Sequence, residues 1–143
     1  MKAFTLTECR VALYTRSLNL EPDIGRVMQE DSCADFVTQH GGSITQRFAD
    51  LKVSCEYPHA FPGLTALEQA CIAGQVDYIV VYSSDRIMRH RAQWDYLNTI
   101  CASGAEILSV RENLALCPLV QAGLLSRLRD SWHGAQPFQL RRY

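Results

Sequence analysis

Residues 76 to 89 read VDYIVVYSSDRIMR, and this stretch decides the fold. Its first half is apolar from Tyr78 to Tyr82, which is typical of a parallel strand that is covered on both faces. We therefore predict a central strand over residues 76–82. Polar residues follow the strand at once, from Ser83 to Arg89. Because functional groups of open parallel sheets gather beyond the carboxyl ends of the strands, this position is also a candidate site.

The segments on either side of this strand alternate between short β-prone runs and helical periodicity. We predict further strands over residues 10–15, 43–48 and 105–110, and a loop over residues 51–62. Helices are predicted over 22–39, from Leu64 to the stop at Gly74, over 91–103 and over 119–132. This order predicts a three-layer α/β/α domain with a mostly parallel, four- to five-stranded sheet. The domain should span residues 8–132, with residues 133–143 as a tail.

Composition narrows the classes of function. The chain has 143 residues, 48% of them hydrophobic, and a formal net charge of −1. These values predict one globular domain, and any contact with nucleic acid should be a local patch. Neither a secretory leader nor a long apolar window is present, which predicts a cytoplasmic protein with no membrane contact.

The motifs that would announce a cofactor are also missing from the sequence. No Gly-rich loop follows the first strand, which argues against a nucleotide cofactor. The six cysteines contain no C-x-x-C pair, so we expect no metal site. Most of them lie among apolar neighbours and are interpreted as small buried side chains in a reducing compartment.

Charged groups concentrate after the central strand. Asp85, Arg86 and Arg89 lie within five residues, and Arg16 should lie at a neighbouring strand end. Guanidinium groups donate paired hydrogen bonds to phosphate, so the four side chains predict a phosphate clamp. The alternative is that Asp85 caps the next turn while the two arginines are solvated.

These segments, in this order, resemble the catalytic domain of the resolvase/invertase family of serine recombinases. The likeness covers roughly residues 10–132, and Asp-Arg-x-x-Arg is its most specific motif. The residues that carry the likeness are Tyr14, Arg16, Gln29, Phe48, Asp50, Ser54, Pro62, Gly63, Leu64, Gly74, Asp77, Asp85, Arg86 and Arg89.

The resemblance implies that a serine attacks a DNA phosphate, forms a phosphoserine link and rejoins strands within a synaptic tetramer. Arginines would neutralise the phosphate, and no metal or cofactor would take part. Two positions depart from the family pattern: the nucleophile position is occupied by Leu18, and an arginine position by Phe61. Ser17 lies one residue early, and on an extended strand it would face away from the site unless the strand end is bulged or twisted.

Three functions follow as hypotheses. The first is an active DNA strand transferase that uses Ser17 with Arg16, Asp85, Arg86 and Arg89. The second is a catalytically silent module that associates with itself or with a full-length recombinase, through the stripe Val120, Leu124, Leu125 and Leu128. The alternative for this stripe is that it packs onto the domain's own sheet. The third is a site for a small phosphorylated ligand. The family's separate DNA-reading domain has no counterpart here, so DNA binding is expected to be weak or to depend on a partner.

Overall fold

The computed structural model describes residues 4–17, 24–51, 61–89 and 91–122. Its sheet has five strands in the order β2-β1-β3-β4-β5. Strands β1 to β4 are parallel, and β5 is antiparallel to β4. The strands are β1 Val11–Ser17, β2 Ile44–Leu51, β3 Tyr78–Val81, β4 Glu106–Ser109 and β5 Leu114–Ala115.

Helices cover both faces of this sheet. Helix α1 packs one face through Cys33 and Val37, while α2, α4 and α5 pack the other through residues such as Leu64, Leu97 and Leu119. The helices are α1 Ile24–Gln39, α2 Pro62–Ile72, α3 Asp85–Met88, α4 Arg91–Ala102 and α5 Cys117–Gln121. The prediction of a three-layer α/β/α domain is therefore confirmed.

The central strand explains why two cores form. Ile79 and Val81 belong to the core under α2 and α4, whereas Val80 belongs to the core under α1. Successive side chains of a strand point to opposite faces, so an uninterrupted apolar run is what a strand between two helical layers requires. The prediction for residues 76–82 is confirmed in kind, with a shorter strand at Tyr78–Val81.

Several predicted boundaries need correction. The first strand continues past Thr15 to Ser17, and the second continues past Phe48 to Leu51, because the two pair residue by residue to their ends. The short elements α3 and β5 were not predicted, since neither is long enough to show a period. Predictions for residues 52–60 and 123–143 lie outside the described residues.

Four of the described cysteines test the interpretation of this residue type. Cys33 and Cys71 are buried thiols, as predicted, and burial raises their pKa values to about 12 and about 11. Cys101 and Cys117 instead form a disulfide between the end of α4 and the start of α5. The expectation of unpaired cysteines is wrong for this pair, because a separation of 16 residues carries no signal in the sequence.

Within the residues that the structure describes, no helix is long and apolar enough to cross a membrane.

Candidate functional site

The end of strand β1 forms the centre of the candidate site. Arg16 is 1% exposed, although it carries a charge. Its carbonyl oxygen accepts hydrogen bonds from Gln29 Nε2 and from Arg86 Nη1, each across 3.3 Å. The structure thus brings together three of the residues on which the family likeness depends, from β1, α1 and α3.

Asp50 connects β2 to helix α2. Its carboxylate accepts hydrogen bonds from Tyr14 Oη at 2.6 Å, from the Gly63 amide at 2.6 Å and from the Leu64 amide at 2.9 Å. The two amides belong to the first turn of α2, where backbone N–H groups have no partner within the helix. Asp50 therefore fixes the start of α2 against the sheet, and this role accounts for its place in the motif.

The Tyr14 hydroxyl is held in its neutral form by the same contact. Burial raises the pKa of Tyr14 well above its usual range, and the negative charge of Asp50 raises it further, while Arg16 opposes the shift. Tyr14 therefore acts as a hydrogen-bond donor that orients the Asp50 carboxylate. It does not supply a base near neutral pH.

Helix α3 presents the Asp-Arg-x-x-Arg motif. Ser83 Oγ donates a hydrogen bond to the Asp85 carboxylate, and Arg86 Nε lies 3.9 Å from Asp85 Oδ1. Arg86 is partly buried, while Arg89 at the end of α3 is exposed. The alternative in which both arginines are simply solvated is therefore wrong for Arg86.

The Nε atom of Arg86 is buried without a hydrogen bond among the described residues. Leaving a buried donor unsatisfied costs free energy, so such a group calls for an explanation. The Asp85 carboxylate, whose Oδ1 lies 3.9 Å from this Nε, offsets part of that cost.

Ser17 does not share a face with Arg16. Strand β1 pairs with β2 without irregularity from Ala12 to Ser17, and the only shift lies between Val11 and Ala12. Alternation along such a regular strand turns Ser17 towards the α1 side and Arg16 towards the α2 side. The bulge on which the nucleophilic role of Ser17 depended is absent from the described part of β1, and Ser17 is 4% exposed.

Phe61 lies directly over the buried arginine. The guanidinium carbon of Arg16 is 6.0 Å from the centroid of the Phe61 ring, and Phe61 is 1% exposed. This is a cation–π distance, so the face of the ring compensates part of the charge of Arg16. The other two predicted positions, Leu18 and Ser54, lie outside the described residues.

Two motif residues have a different task. Asp77 accepts hydrogen bonds from the Arg10 amide at 2.7 Å and from the Arg10 side chain at 3.0 Å and 3.2 Å. Arg10 also donates to the Gly74 carbonyl oxygen at 2.6 Å. These contacts lie at the amino ends of β1 and β3. Gly74 and Asp77 therefore stabilise the end of the sheet opposite to the one that carries Arg16, Arg86 and Arg89.

Sequence reasoning missed one contributor. The Glu112 carboxylate accepts hydrogen bonds from Ser84, which directly precedes α3, and from Ser109 at the end of β4. Glu112 follows the strand predicted over residues 105–110, and no motif singled it out. Its 28-residue separation from Ser84 is closed by the neighbouring positions of β3 and β4 in the sheet.

The arrangement is suited to binding an anion. Arg86 and Arg89 supply positive charge that solvent can reach in part or in full, and Arg86 contacts the backbone of the buried Arg16. In the part of the chain that the structure describes, no three His, Cys, Asp or Glu side chains are placed to hold a metal ion.

Comparison with known proteins bears on the identity of this fold. Residues 11–121 match the family model described as the resolvase N-terminal domain. No curated protein is a significant match.

Solved structures with a similar fold include several catalytic domains and recombinases. The N-terminal catalytic domain of TP901-1 integrase is 17% identical, with a TM-score of 0.66 over 90% of this chain and 99% of that chain. A resolvase family site-specific recombinase from Streptococcus pneumoniae is 16% identical, with a TM-score of 0.67 over 89% of both chains. A serine recombinase from Sulfolobus solfataricus is 20% identical, with a TM-score of 0.55 over 72% of this chain and 69% of that one.

At these identities the structural likeness establishes the fold alone, whereas the family model spans most of the chain and includes every described strand. The chain therefore belongs to the family of resolvase N-terminal domains, and it is a serine-recombinase-like domain.

Proposed function

We propose that this domain acts in site-specific DNA recombination by binding a DNA phosphate at Arg86 and Arg89, with Arg16 in support, and that its own strand cleavage is impaired. The observation that carries the proposal is the hydrogen bond from Arg86 Nη1 to the Arg16 carbonyl oxygen. It joins Arg16 at the end of β1 to Arg86, which follows the end of β3, so the arginines of two strand ends lie side by side.

Phosphate is the ligand that fits these groups. Guanidinium groups stay charged and donate hydrogen bonds in a planar fork that matches phosphate oxygens. Because the chain carries a formal net charge of −1, attraction to DNA must come from a local concentration of arginines. Asp85 orients Arg86, since it contacts the guanidinium and is itself held by a hydrogen bond from Ser83.

Impaired cleavage follows from the two departures from the family pattern. A family nucleophile attacks phosphorus, forms a serine–phosphate bond and expels a deoxyribose oxygen, which takes up the proton. Leu18 has no group that can do this, and Ser17 lies on the face opposite Arg16. Phe61, which stands in place of a phosphate-contacting arginine, removes a further charge from the transition state.

The experiment is a binding titration with a fluorescent duplex DNA at several salt concentrations. Arg86→Ala and Arg89→Ala should each weaken binding and lower the salt slope by about 1 for each lost phosphate contact. Arg47→Ala is the matched control, because Arg47 is an exposed arginine in the middle of β2. The substitution removes the same charge at a position away from the proposed site. Equal losses for all three variants would contradict the proposal, since they would reflect net charge alone.

Association is the second candidate function. Val27 and Met28 on α1 are 49% and 43% exposed, which is unusual for large apolar side chains that are neighbours. A silent module would use such a surface to bind a second copy or a full-length recombinase, which would then supply DNA recognition. The stripe suggested by the sequence is a poorer choice, because Val120 is buried in this domain's own core and its other members lie outside the described residues.

Light scattering tests the association. The wild-type domain should have the molar mass of a dimer, and the double variant Val27→Ser, Met28→Ser should have that of a monomer. A wild-type protein that is monomeric at high concentration would contradict self-association.

A further inference from the structure

Glu112 makes a concentrated set of contacts at the start of helix α3. Its two carboxylate oxygens accept hydrogen bonds from the Ser84 amide at 3.1 Å and 3.2 Å, and Oε1 accepts another from Ser84 Oγ at 2.9 Å. Ser109 Oγ donates to Oε2 as well. One carboxylate therefore ties the residue that precedes Asp85 to the end of strand β4.

Helix α3 cannot hold its own shape. It has four residues, Asp85–Met88, and an isolated helix of that length is unstable because nucleation costs more than a few backbone hydrogen bonds return. Its conformation must come from contacts with the rest of the domain.

Ser83 Oγ also contacts Asp85 at the start of α3, and further contacts lie along the body of the helix and at its far end. Gln93 Nε2 donates to the Arg86 carbonyl oxygen at 3.2 Å, and Trp94 Nε1 donates to the Met88 carbonyl oxygen at 3.1 Å. Both donors belong to α4. Glu112 thus holds the residue that precedes α3 and Ser83 holds its first residue, whereas α4 holds its body and its end.

The loop that carries Glu112 is itself well anchored. The amides of Val110 and Arg111 donate to the carbonyl oxygens of Val81 and Tyr82 at 3.0 Å and 2.8 Å. Asn113 next to Glu112 has a φ of 58°, so the chain turns sharply there and then enters β5. The carboxylate is therefore presented from the rigid end of the sheet.

We propose that Glu112 is a positioning residue for the arginine site: it holds Ser84 and so fixes the direction in which Arg86 is presented to a bound phosphate. The inference rests on the proposed DNA-binding function. Glu112 acts through the backbone at Ser84, and no contact between Glu112 and DNA is required.

The direction in which Glu112→Ala changes DNA affinity separates a positioning role from a simple effect of net charge. Removing an acidic side chain makes the domain more positive, which by itself strengthens binding to a polyanion. Loss of positioning has the opposite effect. Glu112→Ala should therefore weaken binding to duplex DNA by about tenfold, which corresponds to the contribution of one hydrogen bond to a charged group.

Two further variants complete the set. Asp95→Ala removes an exposed carboxylate from α4, so it changes the charge equally and should leave DNA affinity unchanged or slightly higher. Glu112→Gln keeps an oxygen that can accept from the Ser84 amide, and its side-chain amide NH2 can donate to Ser109 Oγ. This variant should therefore retain most of the wild-type affinity.

Amide hydrogen exchange supplies a readout that needs no DNA. In Glu112→Ala the amides of Ser84, Arg86 and Ile87 should exchange faster, since the start of α3 is released. The amides of Ile79 and Val80 in β3 should keep their protection, which shows that the domain is folded. Glu112→Gln should resemble the wild type at all of these positions.

The outcomes are distinct. Unchanged protection of Ser84 in Glu112→Ala, or DNA affinity equal to or above that of the wild type, would overturn the role of Glu112. If the wild type itself fails to bind DNA, the proposed function fails, and hydrogen exchange still decides whether Glu112 holds α3.

Discussion

Arg86 Nη1 donates a hydrogen bond to the carbonyl oxygen of Arg16 across 3.3 Å, although the two residues are 70 positions apart. The contact joins the end of β1 to helix α3 and leaves the guanidinium of Arg86 with further donors for an anion. It therefore couples the position of the partly buried Arg86 to that of the buried Arg16.

Covalent chemistry gives the first prediction. The wild-type domain should form no covalent adduct with supercoiled DNA at low salt, because Leu18 has no nucleophile and Ser17 faces away from Arg16. Leu18→Ser should produce an adduct that is detectable on a denaturing gel, since it restores a hydroxyl two residues after Arg16. The adduct should persist in the double variant with Ser17→Ala.

The contrary result is equally clear. A wild-type adduct that disappears in Ser17→Ala would mean that the end of β1 changes its twist when DNA binds.

The buried contact between Tyr14 and Asp50 gives the second prediction. Tyr14→Phe removes the 2.6 Å hydrogen bond to the carboxylate without changing the packing of the ring. A hydrogen bond to a charged group contributes about 1.5–3 kcal/mol, so the free energy of unfolding in urea should fall by about that amount. Thr65→Ala is a comparison in which an exposed hydroxyl loses its contacts with two uncharged groups, the Phe61 carbonyl oxygen and Tyr96 Oη, and its effect should be smaller.

Gly63 gives the third prediction. A Cβ atom at this position would lie 2.3 Å from the Ala49 carbonyl oxygen, so Gly63→Ala forces α2 away from β2. Overpacking typically costs about 1–3 kcal/mol, and here backbone must move, so the loss in the free energy of unfolding should reach the upper part of that range. It should also disturb the Gly63 amide bond to Asp50.

Gly74→Ala is the control for Gly63. No atom lies within 4 Å of the added Cβ, and only the φ of 72° opposes the substitution. The loss should be about 1 kcal/mol. Equal losses at the two positions would contradict the steric argument.

Acid stability gives the fourth prediction. The Arg10 side chain, with the Arg10 amide, holds the pKa of Asp77 below its usual range. A lowered pKa in the folded state means that Asp77 stabilises the domain above its unfolded pKa of about 3.9 and loses that contribution as the pH falls through the folded value. The urea midpoint of the wild type should therefore drop more between pH 6 and pH 3 than that of Asp77→Asn.

The effect should be small, because both side chains are exposed to solvent. Arg10→Gln removes the cause of the shift and should flatten the pH dependence in the same way. A steeper dependence in either variant would contradict the assignment.

Particular elements show how far the sequence reaches. The apolar run at Tyr78–Val81 predicts a strand between two helical layers, and the structure confirms it, because burial on both faces is written directly into residue type. The elements α3 and β5 escape prediction because four residues and two residues are too few to display a period. The disulfide between Cys101 and Cys117 escapes as well, since distance in space cannot be read from spacing along the chain.

The candidate site divides in the same way. The sequence by itself determined the fold class, the family and the arginines after the central strand, because these depend on local patterns of residue type. Only the tertiary structure decided that Ser17 faces away from Arg16, that Phe61 covers Arg16, and that Glu112 reaches Ser84. These relationships depend on strand register and on the order of strands in the sheet, which join residues that are far apart in the chain.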